Sequence, residues 1–358
     1  MSSIEIRPGK DADREQILGL IEQVFGARQA QRVARQWHWQ WHQDPRLQAP
    51  GYRGVVAVWR DRIIANLSCI PAALYVHGQP VEAHWCVDVL THWGLTKQAL
   101  RERKRERTIA DDGLANGIAA ALLDHPSAGP IQLAKYIADP MKAICMRIGF
   151  QELAGSGSFS RRLSFRQALQ GSLGPRFGAF ASAALDLSLL PTARPTLAVE
   201  AMDGPFDARF DCLWQRLKPA YGAIALRNAA VLDWRYRAHP ETRYLVLIIP
   251  DADEIRAFLV FSLYHHGSRL RANVVDLGAD PDDETAVQAL FAAALRSARR
   301  EGADRIGCFV TSTLVDGIVR RLGFRPRLKK QSKRTQPLIM RGLSIADLHA
   351  SIGDGDGG

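Results

Sequence analysis

The sequence predicts an α+β protein built from two tandem copies of one mixed, mostly antiparallel sheet flanked by helices. Three observations predict it. The chain has 358 residues, more than one compact domain usually holds. The order strand, helices, three-strand meander, helix, strand, helix, strand can be read twice along it. Three short echoes also recur in the same order in both halves: WQWHQDP from Trp39 with WRYRAHP from Trp234, CVDVLTHW around Asp88 with VVDLGADP around Asp276, and MRIGF ending at Phe150 with RRLGF ending at Phe324. Anchors repeated in order mark a duplicated unit.

The first strand is IEIR, followed by a polar turn and a helix with Ile17, Leu18, Ile21, Val24 and Phe25 at helical spacing behind an Asp-rich start. A second helix, rich in Gln and Arg, ends in WHWQWHQDP. From Tyr52 the period becomes that of strands: GVVAVWRD, RIIANLSCIPAALYV, a turn at HGQP, then VEAHWCVDVLTH. The basic stretch after Gly94 lacks strand alternation and reads as a helix. GIAAALLD, from Gly117, reads either as the fifth strand or as a buried helical turn, because periodicity does not separate the two. FQELAGSGSFSRRL, from Phe150, reads as the terminal strand pair of the first copy. The expected organisation is an N-terminal domain over 1–165, a helical linker over 166–195 with the boundary near Pro191, and a C-terminal domain over 196–350. The final GDGDGG reads as a loose tail.

Composition bounds the function classes. With 47% hydrophobic and 23% charged residues the chain is an ordinary globular protein. The N-terminus has no apolar signal core and no window approaches ~18 uninterrupted apolar residues, so a cytoplasmic protein without a membrane span is expected. Cys69, Cys86, Cys145, Cys212 and Cys308 are scattered without a CxxC pair, which argues against a disulfide framework and a structural zinc site; no metal is expected. A net charge of +10 favours anionic partners such as phosphates, acidic carrier proteins or nucleic acid.

The opening IEIRPGKDAD, the hairpin strands, the VDV strand feeding a helix, and the amphipathic helix ending in IGF resemble the GNAT superfamily of N-acyltransferases, and the second half resembles it from about Leu197 to Leu343. The resemblance implies transfer of an acyl group from a thioester, acyl-CoA or an acyl carrier protein, to a small-molecule or peptide amine. Fem-type aminoacyl transferases, also tandem GNAT folds, are an alternative in which charged tRNA is the donor. A catalytically silent pair serving as a binding module is a third reading. Family members carry Q/R-x-x-G-x-G/A after the fourth strand, where backbone N–H groups at a helix N-terminus hold the pyrophosphate. In THWGLTKQA this sequence keeps Gly94 alone. The donor would then lie against Leu90, His92, Trp93, Gly94, Leu95, Thr96 and Lys97, with Arg101 of the basic run KQALRERKRER beside them. In the second copy, Asp282, Asp283 and Glu284 oppose a pyrophosphate, so the donor site and chemistry fall to the first copy and the second shapes the acceptor pocket.

Strand alternation puts His84, Cys86 and Asp88 on one face, which makes Asp88 or His84 the candidate base for the attacking ammonium. A buried aspartate tying down a loop is the alternative for Asp88. The family often has a tyrosine four residues before the glycine of the terminal GF; here Cys145 stands there, with Val319 in the second copy. Its thiol is a candidate acid for the departing thiolate, a small core residue the alternative. Arg227, Trp234, Arg235 and Tyr236 are candidates for binding an acceptor carboxylate or sugar, or for pinning the two domains together.

Overall fold

The computed structural model describes residues 4–105, 117–166, 169, 177, 197–327, 337–345 and 347–355, with side chains at 103–105 left out. Chain contacts divide it into two compact units: Met1–Leu74, Val81–Glu152 and Leu338–Ser344 form the first, and Tyr75–Pro80, Leu153–Pro337 and Ile345–Gly358 the second. In chain order the first half contains β1 (Glu5–Pro8), α1 (Arg14–Phe25), α2 (Ala27–His42), β2 (Gly54–Trp59), β3 (Arg62–Pro71), β4 (Leu74–Val76), β5 (Gln79–Val81), β6 (Ala83–Thr91), α3 (Trp93–Arg105), α4 (Ile118–Asp124), β7 (Ile131–Ala134), α5 (Asp139–Arg147) and β8 (Gln151–Glu152). Next come β9 (Gly157–Arg162), β10 (Glu200–Met202), α6 (Ala208–Ala220), β11 (Ala223–Ala225), α7 (Ala229–Tyr236), β12 (Tyr244–Asp251), β13 (Glu254–His266), β14 (Arg269–Gly278), α8 (Glu284–Arg300), β15 (Arg305–Val310), α9 (Thr313–Arg321), β16 (Arg325–Pro326), β17 (Ile339–Arg341) and β18 (Leu348–His349).

Two seven-stranded sheets carry the repeat, ordered β1-β2-β3-β6-β7-β17-β8 and β10-β12-β13-β14-β15-β9-β16. Position for position the two orders agree, and both place a parallel pair, β6 with β7 and β14 with β15, in an otherwise antiparallel sheet. The echoes fall on equivalent elements. Trp39 and Trp234 lie on the second helix after the first strand, and Asp88 and Asp276 on the fourth main strand. MRIGF and RRLGF close their helices alike: Gly149 and Gly323 have φ of 95° and 79°, and the next residue returns its N–H to the helix, Phe150 to Cys145 O at 3.0 Å and Phe324 to Val319 O at 2.9 Å. This is a glycine-terminated cap.

One expectation does not hold. The terminal strand pair read at 150–163 is split: β8 stays at the edge of the first sheet, whereas β9 pairs between β15 and β16 of the second. Reciprocally, β17 pairs between β7 and β8 of the first sheet. Each sheet therefore takes its last inserted strand from the other half of the chain, and a cut at 165 does not separate the units. The linker read over 166–195, with its boundary near Pro191, lies outside the described residues apart from 166, 169 and 177.

GIAAALLD is α4, buried throughout from Ile118 to Leu123, and the fifth main strand is β7. The helix packs with Leu67, Cys69, Cys86, Cys145 and Phe150 in the core of the first unit. In the second unit the Ala-rich inner face of α8 packs with Phe261, Ile306, Cys308 and Phe324. The HGQP turn belongs to a hairpin, β4-β5, that joins β11 and β18 in a separate four-stranded sheet. The tail is not loose up to residue 355: Ile352–Asp354 is a buried 3-10 turn. Among the described residues no helix is long and apolar enough to cross a membrane.

Candidate functional site

β6 pairs with β7 only over Ala83–Trp85, so the rest of the strand is bonded on one side alone, to β3. On that open stretch the register slips. Asn66 faces Leu90 and Ser68 faces Val87, which leaves Asp88 and Val89 opposite Leu67. Asp88 has φ of 48°, the left-handed region, which Asp tolerates better than most side chains. A bulge of this kind takes a backbone group out of the ladder and re-aims the strand. It also corrects the expected alternation: Cys86 packs into the helix-covered core, and a strict two-residue period does not carry from it to Asp88.

A buried polar cluster supports the bulge. The Tyr52 hydroxyl donates to Asn66 Oδ1 at 2.8 Å and lies 2.9 Å from Ser68 Oγ, while Asn66 Nδ2 reaches Ser68 Oγ at 3.2 Å and the Asp88 carbonyl at 3.3 Å. Burial pushes the Tyr52 hydroxyl pKa well up, so it stays a donor. The ring stacks on Trp37 at 5.0 Å and meets Trp41 edge-on at 4.9 Å. Two glycines make room for it: a Cβ at Gly9 or Gly54 would come within 2.5 Å of the tyrosine. Tyr52, Asn66 and Ser68 were missed in sequence; Tyr52 falls at a change of period between helix and strand, and nothing local ties it to a strand passed later in the chain.

Beyond the bulge β6 runs directly into α3. Leu90 is buried, and His92 acts as the cap, its Nδ1 accepting the Leu95 N–H at 3.2 Å and its carbonyl the Thr96 N–H at 2.9 Å. Trp93 is 75% exposed, with Lys97 Nζ 5.9 Å from its ring, and Gly94, Lys97 and Arg101 are exposed around the helix start. Thr96 Oγ1 is buried with no hydrogen-bond partner. The structure thus brings Asp88 and the expected donor residues onto one strand-to-helix passage. Glu102 pairs with Arg60 at 2.8 Å.

Two catalytic candidates lie apart from it. His84 sits on the paired end of β6, four residues or ~13 Å along the strand from Asp88. Its Nδ1 is buried without a partner and hard against Gly129, and burial lowers its pKa. Cys145 is 3% exposed in the core of the first unit, and burial pushes its thiol pKa up to about 11. Its place is that of a core residue.

The second unit uses the equivalent places for internal bonding. β14 pairs with β15 only over Arg271–Asn273, and the open stretch beyond it is met by the chain's own segment 348–354. Asp276 is fully buried; its Oδ1 accepts Arg227 Nε and the Leu277 N–H at 2.9 Å each, and its Oδ2 accepts the Tyr236 hydroxyl at 2.8 Å. Asp354 accepts Arg227 Nη2 at 2.7 Å and Arg235 Nη1 at 3.2 Å. This corrects the acceptor-site expectation. Arg227, Trp234, Arg235 and Tyr236 are all buried, and the two guanidiniums are held by Asp276 and Asp354 of the same unit. The remaining space is an open-mouthed cavity of about 350 Å³, mouth included, lined by Val274–Leu277, Phe309–Ser312 and His349–Ser351. At the helix that follows, Asp283 caps α8 through the Ala286 N–H at 3.0 Å and takes both arms of Arg256 at 2.7 and 3.0 Å. The bond from Arg256 lowers the Asp283 pKa, and its charge occupies the place an anion would take.

The strand order, the bulged fourth strand and the strand-to-helix passage now stand beside known proteins. Residues 5–103 match the family model described as acetyltransferase (GNAT) domain. This stretch of the first unit is similar to a GNAT domain, and the second unit repeats its strand order. Saccharomyces cerevisiae N-myristoyltransferase, solved with bound myristoyl-CoA, is similar over 96% of this chain and 83% of its own, with a TM-score of 0.56 at 13% identity. A GCN5-related N-acetyltransferase from Anabaena variabilis is similar over 94% and 72%, with a TM-score of 0.54 at 13% identity. A probable N-acyltransferase from Enterococcus faecalis is similar over 95% and 72%, with a TM-score of 0.54 at 7% identity. At these identities the likeness is one of fold. No match was found among curated protein sequences.

Proposed function

We propose that this protein is a tandem GNAT N-acyltransferase whose first unit holds an acyl thioester and passes its acyl group to an amine. The observation that carries the reading is the asymmetry of the two strand-to-helix passages. In the first unit the bulge at Asp88–Val89 and the start of α3 are lined by exposed glycine, lysine and arginine and by the unpartnered Thr96 hydroxyl. In the second, Asp283 caps the equivalent helix start and the segment carrying Asp354 lies along the open strand, lining the cavity beside it. The bound myristoyl-CoA of the yeast relative supports a coenzyme A thioester as donor.

In this reading the start of α3 takes the donor's phosphates, with Lys97 and Arg101 supplying charge. Asp88, acting directly or through water, accepts the proton of the attacking ammonium. The neutral nitrogen bonds to the thioester carbon, a bulge N–H meets the developing oxyanion, and the C–S bond breaks as the leaving thiolate takes up the second proton that the nitrogen releases. Among the described residues there is no cluster of three or more His, Cys, Asp or Glu able to hold a metal ion.

Thermal-shift screening against acetyl-CoA, a long-chain acyl-CoA, an acylated carrier protein and a charged tRNA tests the reading. A ligand at 100 times its Kd adds about 2.7 kcal/mol of stability, so the true donor stands out. Stabilisation by a thioester supports the proposal; stabilisation by charged tRNA alone overturns it.

A further inference from the structure

The sheet of the second unit carries a row of like charges that the proposed reaction does not use. Arg271 on β14 stands opposite Arg305 on β15, and Arg305 stands opposite Arg162 on β9. Partners across a ladder share a face and neighbouring strands lie ~4.8 Å apart, so three arginines start in a line ~10 Å long on one side of the sheet. Ala272 and Ile306, the next residues along, point to the core on the other side. Arg327 adds to the same field: the Arg305 pKa is lowered by burial and then by Arg162, Arg271 and Arg327, with Asp304 alone opposing.

One carboxylate does not balance the row. Asp304 is buried and 3.9 Å from both Arg269 and Arg271, beyond hydrogen-bond distance, and Asp304 Oδ1 and Arg271 Nε are each buried without a hydrogen-bond partner. Arg305 spends one nitrogen on a neutral partner, Ser160 Oγ, at 3.0 Å. Like charges directly opposite across strands destabilise a sheet, and a buried donor left without an acceptor costs more. An anion with several acceptor oxygens removes both costs. Guanidinium forks match phosphate oxygens in pairs. A single phosphate reaches two neighbouring forks, whereas two linked phosphoryl groups reach all three.

We propose that the row Arg162–Arg305–Arg271 is a binding site for a diphosphate group, separate from the donor site of the first unit. Free diphosphate, a nucleotide and a nucleotide-bearing cofactor share that chemistry. The test uses the full chain with inorganic pyrophosphate, titrated by calorimetry and by thermal shift, against sodium chloride at matched ionic strength. Arg305→Gln is expected to melt higher than the parent without ligand, because two like-charge neighbours are relieved, and to lose about tenfold or more in pyrophosphate affinity. A structural arginine would give the opposite sign in melting temperature. Arg162→Gln, changed at the end of the row, repeats the comparison should Arg305→Gln fail to fold. ADP and coenzyme A in the same titration separate the sources: binding lost in the variant belongs to the row, and binding kept belongs elsewhere. A variant that melts lower and binds pyrophosphate as the parent does, or sodium chloride that stabilises the parent as well as pyrophosphate, overturns the proposal.

Discussion

In the first unit the fourth main strand passes Asp88, half-buried, on a left-handed bulge and runs into a helix start lined by glycine, lysine and arginine. In the second unit the same strand passes Asp276, wholly buried between Arg227 and Tyr236, and runs into a helix already capped by Asp283. The scaffold is common to both, down to the glycine caps at Gly149 and Gly323, yet the fourth strand leads to an exposed helix start in one copy, while in the other the chain's own segment 348–354 lies along it and leaves a cavity beside it. A duplicated fold can keep its frame while one copy's site is narrowed from within. Asp276 is therefore no neutral counterpart of Asp88, because it holds two partners that burial would otherwise leave uncompensated.

The largest effect that separates the units is on stability. Asp354→Asn removes the charge held between Arg227 and Arg235, and should cost about 3–5 kcal/mol in urea denaturation, whereas Asp88→Asn should stay within about 1 kcal/mol of the parent. Similar costs for both would erase the contrast. Acid should reach the second unit in the same way. Burial pushes the His349 pKa down to about 4 where its ring bonds the Leu277 carbonyl. The unfolded chain takes up that proton near 6.5, so stability falls as pH drops from about 6.5 towards 4, by on the order of 3 kcal/mol. His349→Asn, measured by denaturation across that window, should flatten this part of the profile.

Chemistry should separate the units in the opposite sense. With a donor and amine in hand, Asp88→Asn should lower kcat by ~100-fold or more while donor affinity changes little. A loss of donor affinity in place of turnover would make Asp88 a loop anchor. The smallest effect expected is that of Tyr52→Phe, which keeps the ring between Gly9, Gly54 and Trp37 but removes the donor to Asn66. It should cost about 1–2 kcal/mol, and hydrogen exchange should quicken around Asp88–Leu90 with little change in the second unit.

The sequence showed the duplication because its anchors are local. A helix end needs its glycine, and WQWHQDP and WRYRAHP mark matching helix exits. The acidic loop was also legible, since Asp283 acts as a cap within its own helix. The exchange of β9 and β17 was not: both are short, FQELAGSGSFSRRL has the composition of a hairpin, and which sheet accepts a strand is decided by edges far away in the chain. Nor was the role of Arg227 and Arg235. Their partner Asp354 follows by more than a hundred residues, in a Gly-Asp tail whose composition suggests disorder. The bulge at Asp88 broke the alternation that had joined it to His84, because a period-two pattern has no means of marking one extra residue.

The claim that the first unit alone receives the donor is tested most directly by hydrogen exchange with and without a saturating acyl-CoA. Protection should appear across Cys86–Gln98, covering the bulge and the start of α3, and should be absent from Val274–Ala286 and Phe309–Ser312. Protection of the second set, with the first unchanged, would contradict the account and move the thioester to the second unit.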